Sequence, residues 1–164
     1  MAEFKMGFIG TGNMGSALAR AAAKSGERML LANRTPEKAE ALAAVLDAKV
    51  STNLQAAAAC EYIFLGVKPQ MMADMLDGIA PVLKAREKAP VLVSMAAGLT
   101  IARIRELAGG AYPVIRIMPN MPAAVGEGVI FYACSENCPQ EALDAFLACM
   151  AGAGRLFPLE ERLQ

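Results

Sequence analysis

The 164-residue sequence contains no histidine and no tryptophan, and aromatic residues make up only 5% of it. Without histidine, the chain lacks the side chain that most often serves as a general acid or base near neutral pH. The same absence excludes nucleophile pairs of the Ser-His-Asp and Cys-His types. Any chemistry that this chain takes part in must therefore use other groups.

The four cysteines show no C-x-x-C spacing; they are Cys60, Cys134, Cys138 and Cys149. Because no histidine is present to complete a zinc ligand set, no metal site is expected. We expect all four cysteines to be reduced thiols in the core of the protein.

An excess of charge is also absent, because 16 lysines and arginines balance 16 aspartates and glutamates. Without a global field to gather nucleic acid or anionic lipid, neither partner is expected. Hydrophobic residues make up 55% of the chain, but no apolar run reaches the roughly 18 residues that a membrane-spanning helix needs. The first residues do not form a secretory leader pattern, so we expect a cytoplasmic location.

Short apolar strands alternate with helical patterns along the chain. The predicted strands are residues 5–9, 29–32, 49–51, 62–67, 91–95, 114–118 and 155–157. The predicted helices are residues 14–24, 36–46, 54–60, 70–83, 101–107 and 139–151. This alternation predicts an α/β fold, namely a Rossmann-like, doubly wound, mostly parallel sheet with helices on both faces. A sheet that is buried on both faces also explains the high apolar content.

A glycine motif separates the first strand from the first helix. It reads Gly10-Thr11-Gly12-Asn13-Met14-Gly15, a G-x-G-x-x-G pattern. Gly10 permits a tight turn, Gly12 lets the backbone approach a pyrophosphate, and Gly15 lets the helix pack closely on the strand. The helix N-terminus then favours an anion. We therefore predict a dinucleotide-binding domain over residues 1–158.

The end of the second predicted strand indicates which dinucleotide is bound. NAD sites usually place a carboxylate there to bind the ribose hydroxyl, but this chain has Asn33, Arg34 and Thr35. The guanidinium of Arg34 suits a 2′-phosphate, which a carboxylate would repel. We predict NADP(H) as the cofactor and NAD(H) as the weaker ligand. The alternative is that Arg34 is a solvated arginine in a turn.

Later strand ends supply further candidate cofactor contacts. Asn53 could reach the adenosine ribose or serve only as a turn residue. The backbone of Val67-Lys68-Pro69 leaves the sheet stiffly because Pro69 favours extended geometry at Lys68. The small side chains of Ala96-Ala97 would admit a flat ring, although close helix packing explains them equally well. Asn120 could bind the nicotinamide carboxamide, or satisfy a local turn.

Together these segments resemble the N-terminal domain of pyrroline-5-carboxylate reductase. The matching pieces are residues 8–15, 33–35, 67–69, 94–98, 116–122 and 125–128. The resemblance implies reduction of 1-pyrroline-5-carboxylate to L-proline by NAD(P)H. It also implies cofactor contacts at residues 10–15, 33–35, 53, 67–69 and 96–97, with Asn120 near the nicotinamide.

Members of this family continue into a helical dimerisation domain that holds the imino acid. The resemblance therefore implies that this chain is the cofactor-binding half, with residues 159–164 beginning a helix that leads to a missing domain. That domain would also form a homo-oligomer. We expect the chain alone to bind NADPH with negligible turnover, because hydride transfer needs both reactants in place. No residue here is a convincing proton donor, so none is predicted to be catalytic.

Two other functions stay open at this point. The first is another NADP-dependent oxidoreductase, of the β-hydroxyacid dehydrogenase or deazaflavin-dependent reductase type, although residues 118–128 argue against it. The second is a non-catalytic module that senses a dinucleotide.

Overall fold

The strands and helices follow the apolar segments of the sequence closely. A computed structural model describes residues 4–119 and 128–164. The strands are β1 (Phe4–Ile9), β2 (Met29–Ala32), β3 (Lys49–Val50), β4 (Cys60–Leu65), β5 (Val91–Ser94), β6 (Val114–Pro119), β7 (Gly128–Cys134) and β8 (Gly154–Pro158). The α-helices are α1 (Asn13–Ala23), α2 (Pro36–Leu46), α3 (Asn53–Ala59), α4 (Pro69–Ala85), α5 (Ile101–Ala108) and α6 (Gln140–Met150). Two short 3-10 helices, Ala151–Ala153 and Glu161–Leu163, flank β8.

All eight strands form one sheet in the order β3-β2-β1-β4-β5-β6-β7-β8. Every neighbouring pair is parallel except β6 and β7, which run antiparallel. The chain order reverses between β1 and β4. At such a point the connections leave in opposite directions and open a crevice beyond the carboxyl ends of the strands, where α/β proteins bind ligands.

A hydrophobic core lies on each face of the sheet because successive strand residues point to opposite sides. In β4, Tyr62 and Phe64 enter the core beneath α1, α2 and α6, where Phe64 stacks on Phe8 with ring centroids 4.2 Å apart. Ile63 and Leu65 enter the other core, beneath α3, α4 and α5. These two cores account for the apolar composition. Among residues 4–119 and 128–164, no helix combines the length and apolar character needed to cross a bilayer.

The doubly wound, mostly parallel fold predicted from the sequence is confirmed. One strand, β7, was not predicted; it follows a stretch rich in proline and glycine, and its antiparallel pairing with β6 depends on a long-range contact. The helix expected to begin within residues 159–164 is present only as the 3-10 helix Glu161–Leu163.

Candidate functional site

The carboxyl ends of β1, β2, β4, β5 and β6 meet along one edge of the sheet. The predicted cofactor residues between 10 and 97 all lie on the loops and helix starts at this edge. Asn120, predicted to lie near the nicotinamide, falls outside the described residues. The parallel strands therefore bring together segments that are far apart in the sequence.

The glycine loop after β1 is shaped by two close backbone approaches. Gly10 has φ of +95°, and a Cβ there would lie 2.7 Å from the carbonyl carbon of Gly66. A Cβ on Gly15 would collide with the carbonyl oxygen of Gly10, so α1 can approach β1 only with glycine at that position. A Cβ on Gly12 would meet nothing within 4 Å, so this side of the loop is open.

The open side of the loop presents unpaired donors at the start of α1. Gly12 is the N-cap of α1 and no side chain caps the helix. Thr11 is only 4% exposed, and its buried hydroxyl makes no hydrogen bond with any described group. A buried hydroxyl and the first N–H groups of a helix together form a site that suits an anion.

Asn33 holds this loop in place. Its side-chain oxygen accepts a hydrogen bond from the Thr11 N–H at 3.0 Å, and its side-chain nitrogen donates to the Thr35 carbonyl, also at 3.0 Å. Both polar atoms of Asn33 thus already have protein partners. The sequence offered no means of foreseeing this contact, which joins residues on neighbouring strand ends.

Arg34 lies beside a cavity of about 400 Å³ between the ends of β2 and β3. The walls of this cavity include Asn33, Ser51, Thr52, Asn53 and Leu54. Arg34 is exposed and forms no ion pair with any residue in the described part of the chain. The cavity therefore presents an uncommitted guanidinium together with small polar groups.

Thr52 and Asn53 are positioned by the start of α3. Thr52 accepts a hydrogen bond from the Gln55 N–H at 3.2 Å, while the Gln55 side chain accepts one from the Thr52 N–H at 3.1 Å. This reciprocal capping box leaves Asn53, the first helical residue, exposed with its side chain at the cavity.

The exit from β4 runs alongside the glycine loop. The Gly66 N–H donates to the Ile9 carbonyl at 2.7 Å, which holds the two strand ends together. Lys68 is the exposed N-cap of α4, with φ of −62° and ψ of 149°, and Pro69 is the first helical residue. The predicted stiff, extended exit is therefore present, while the Lys68 ammonium projects from an exposed position.

A second cavity, of about 390 Å³, lies at the ends of β5 and β6. Its lining is mostly apolar and includes Met14, Met95, Ala96, Ala97, Met118 and Pro119. Arg116 is the one charged residue among the described lining residues, and it is only 7% exposed. Ala96 and Ala97 contribute only small side chains to its wall.

A carboxylate on the segment after β8 holds Arg116. The Oε2 atom of Glu161 lies 3.3 Å from an Arg116 nitrogen and accepts a hydrogen bond of 2.5 Å from the Ile101 N–H, at the start of α5. The Thr100 side chain caps the same helix by accepting from the Arg103 N–H at 3.1 Å. Glu161 thus joins the 3-10 helix after β8, the start of α5 and β6, a role that local sequence patterns did not reveal.

Ionisable groups with strongly shifted pKa values lie away from this cleft. Burial raises the pKa of Cys60 to about 12, and burial also raises the pKa of Tyr62. All four cysteines are free thiols. In the described part of the chain, no group of three or more Asp, Glu, His and Cys residues is arranged to hold a metal ion.

Comparison with known proteins finds similarity over the part of the chain that contains the glycine loop. A family model described as NADP oxidoreductase, coenzyme F420-dependent, matches residues 5–98. Pyrroline-5-carboxylate reductase of Corynebacterium melassecola is 36% identical over 127 residues, covering 74% of this chain and 46% of that protein. The reductase of Pisum sativum is 28% identical, covering 98% of this chain and 59% of that protein.

A solved structure gives the same match in three dimensions. Plasmodium falciparum pyrroline carboxylate reductase with NADP bound superposes with a TM-score of 0.84 and 27% identity, covering 99% of this chain and 60% of that one. The chain therefore spans about half to three fifths of the length of these relatives. It belongs to the family of NADP oxidoreductases described as coenzyme F420-dependent, and it corresponds to the N-terminal domain of pyrroline-5-carboxylate reductases.

Proposed function

We propose that this chain is the cofactor-binding half of an enzyme that reduces 1-pyrroline-5-carboxylate to L-proline with NADPH. The observation that carries the proposal is the glycine loop, where the uncapped start of α1 lies beside open space at Gly12 and the buried Thr11 hydroxyl next to it has no partner among the described groups. These are the groups that a dinucleotide pyrophosphate needs. The names of the relatives supply the substrate.

The polar cavity at the end of β2 supports NADPH as the preferred coenzyme. Arg34 offers a fixed positive charge and several N–H donors to a 2′-phosphate, and Asn53 and Thr52 offer neutral groups to the ribose. No carboxylate lines this cavity among the described residues, so nothing there repels the phosphate. NAD(H), which lacks that phosphate, would bind less tightly.

The apolar cavity at the ends of β5 and β6 is the proposed nicotinamide site. NADPH supplies the hydride that reduces the C=N bond of the imino acid when it is bound. Ala96 and Ala97 leave room for the ring, and Arg116, held by Glu161, keeps the end of β6 in position. The described residues supply no group that we assign as a proton donor.

Substrate binding is proposed to need residues beyond those present in this chain. The relatives are longer, and we propose that residues 1–158 form the dinucleotide-binding domain, with residues 159–164 leading to the domain that completes the site and forms a homo-oligomer. A cytoplasmic location is proposed as well, because all four cysteines are free, as in a reducing compartment.

Calorimetric titration of the folded chain with NADPH and NADH tests the cofactor half of this proposal. We expect saturable binding of NADPH and weaker binding of NADH. In the same samples, proline formation from the imino acid should be negligible, because only one reactant is held. Absence of binding for both coenzymes would refute the dinucleotide site, whereas rapid turnover would refute the incomplete-site proposal.

The family model's description keeps a deazaflavin-dependent reductase as a second candidate. That reaction would use the same NADP site with a different second reactant. Activity measurements on a protein that includes the remaining domain, with the imino acid and with a deazaflavin as alternative substrates, distinguish the two.

A further inference from the structure

Two of the four cysteines lie close together outside the dinucleotide cleft. Cys134 is the last residue of β7, and Cys138 lies shortly after it, just before α6. Both side chains are partly exposed, whereas Cys60 and Cys149 are buried. Neither Cys134 nor Cys138 takes part in the function proposed above.

Strand alternation directs Cys134 toward the face of the sheet that α6 covers. Ile130, Tyr132 and Cys134 all pack in the core beneath α1 and α6, whereas Ala133 packs in the opposite core. The thiol of Cys134 therefore points under the start of the next helix rather than along the sheet edge.

A tight turn brings Cys138 back over the same face. The Ser135 N–H donates to the Val114 carbonyl at 2.8 Å, and the Cys138 N–H donates to the Ser135 carbonyl at 3.1 Å. The Ser135 hydroxyl donates to the Asn137 side-chain oxygen at 2.7 Å and accepts from the Val114 N–H at 2.9 Å. These bonds fix the turn, and Cys138 packs against the same core as Cys134.

Both thiols lie on this face of the sheet, and the Cys138 Sγ donates to the Pro139 carbonyl at 3.9 Å. The interaction between the two thiols lowers the pKa of Cys138 and, together with burial, raises the pKa of Cys134. Cys138 also precedes the start of α6, where the helix dipole favours negative charge. Cys138 is therefore the first of the two to become a thiolate.

We propose that Cys134 and Cys138 form a redox-active dithiol, which a low-molecular-mass disulfide such as glutathione disulfide converts into an intramolecular disulfide. The Cys138 thiolate attacks one sulfur of the oxidant, forming a mixed disulfide and releasing one thiol. Cys134 then loses its proton to solvent, attacks the Cys138 sulfur and releases the second thiol. Two protein thiols are oxidised, and the oxidant is reduced to two thiols.

The position of the pair separates this reaction from cofactor binding. Cys134 pairs with Ile115 near the beginning of β6, whereas the cleft lies where the parallel strands end. Oxidation is therefore expected to leave the NADPH affinity unchanged. If the chain binds no dinucleotide at all, the dithiol can still be tested on its own.

The test treats the folded chain with glutathione disulfide, blocks free thiols with iodoacetamide, and maps the product by mass spectrometry. Glu136 lies between the two cysteines and Glu141 lies between Cys138 and Cys149. A glutamate-specific protease therefore cuts the connecting segment, and the two fragments stay joined only through a disulfide. We expect a loss of two hydrogen masses, linked fragments, and reversal by dithiothreitol.

Serine variants test the order of the two steps. Cys134→Ser should accumulate a stable glutathione adduct on Cys138, because the second thiol is missing. Cys138→Ser should slow the reaction by at least about tenfold, since the thiol of higher pKa must then react first. Cys149→Ser, which removes a buried thiol outside the pair, should react like the unaltered protein and serves as the matched control.

Mapping of the unaltered protein decides the proposal even where a variant fails to fold. Linked fragments carrying Cys134 and Cys138 support it. It is overturned if both thiols stay open to alkylation, if glutathione remains attached to the unaltered protein, or if the product is a disulfide between two chains.

Discussion

At the scale of single residues, the contrast between Asn33 and Arg34 shows how neighbours can have different tasks. The side-chain oxygen of Asn33 accepts from the Thr11 N–H and its nitrogen donates to the Thr35 carbonyl, so Asn33 shapes the site. Arg34 has no described ion-pair partner and lies at the polar cavity, so its charge is available to a ligand. Both residues were predicted as cofactor contacts, and only their surroundings separate the two roles.

Arg34→Ala is expected to weaken NADPH binding much more than NADH binding. Loss of a charge-assisted contact to the 2′-phosphate should raise the NADPH Kd by about tenfold to a hundredfold. Fluorescence titration with both coenzymes measures the difference. Arg20→Ala removes an exposed arginine from the last turn of α1 and should change neither affinity. An equal loss of affinity for both coenzymes would show that Arg34 does not contact the 2′-phosphate.

Thr11→Val tests whether the unpaired hydroxyl serves the ligand rather than the fold. Its removal leaves no buried partner unsatisfied, so we expect the free energy of unfolding to stay within about 1 kcal/mol of its original value or to rise. NADPH binding should weaken by about tenfold. Thr11→Ser keeps a hydroxyl and should retain most of the affinity. Urea unfolding and calorimetry measure the two effects, and unaltered affinity in Thr11→Val would assign the hydroxyl no role in binding.

At the scale of secondary-structure elements, Glu161 connects parts that are distant in the chain. Its carboxylate ties the 3-10 helix after β8 to the start of α5 and to Arg116 on β6. Because Arg116 is buried, the Glu161 carboxylate offsets the cost of burying its charge. Glu161 therefore holds one residue of the cavity lining, Arg116, without lining the cavity itself among the described residues.

Glu161→Ala is expected to lower the free energy of unfolding by about 2 kcal/mol, because it leaves the Arg116 charge buried and unpaired. Combining it with Arg116→Met should recover part of that loss, as a double-mutant cycle would show. The matched control is Glu160→Ala, which breaks an exposed pair with Arg162 and should cost less than about 1 kcal/mol. Equal losses in the free energy of unfolding for the two alanine variants would mean that the contact with Arg116 does not stabilise the fold.

At the scale of the whole molecule, the two cores hold ionisable groups in their neutral forms. The Cys60 sulfur is packed so tightly that a Cβ on Gly7 would lie 2.6 Å from it. Burial raises the pKa of this thiol from its ordinary value of 9.0, which we take for the unfolded chain, to about 12. The unfolded chain therefore releases this proton at a lower pH than the folded chain does, so alkaline conditions favour unfolding.

The free energy of unfolding should fall as the pH rises above 9.0, by up to about 1.4 kcal/mol per pH unit from Cys60 alone. This contribution is fully present below pH 9.0 and is lost progressively toward pH 12. Denaturant unfolding between pH 8 and pH 10.5 of the unaltered chain and of Cys60→Ala measures it. In the variant, the free energy of unfolding should fall less steeply with pH. Tyr62 and Cys149, whose pKa values burial also raises, should account for the pH dependence that is left. Identical slopes would contradict the assignment to Cys60.

The sequence by itself determined the α/β class, nearly all strands and helices, and the position of the glycine loop. These features depend on local patterns, since alternation, apolar runs and glycine spacing act over a few residues. The antiparallel strand β7, the bonds of Asn33, the Arg116–Glu161 pair and the meeting of Cys134 with Cys138 were decided only by the tertiary structure. Each depends on how the chain returns to itself, because burial, strand register and tight turns set which side chains meet and no spacing along the chain specifies them.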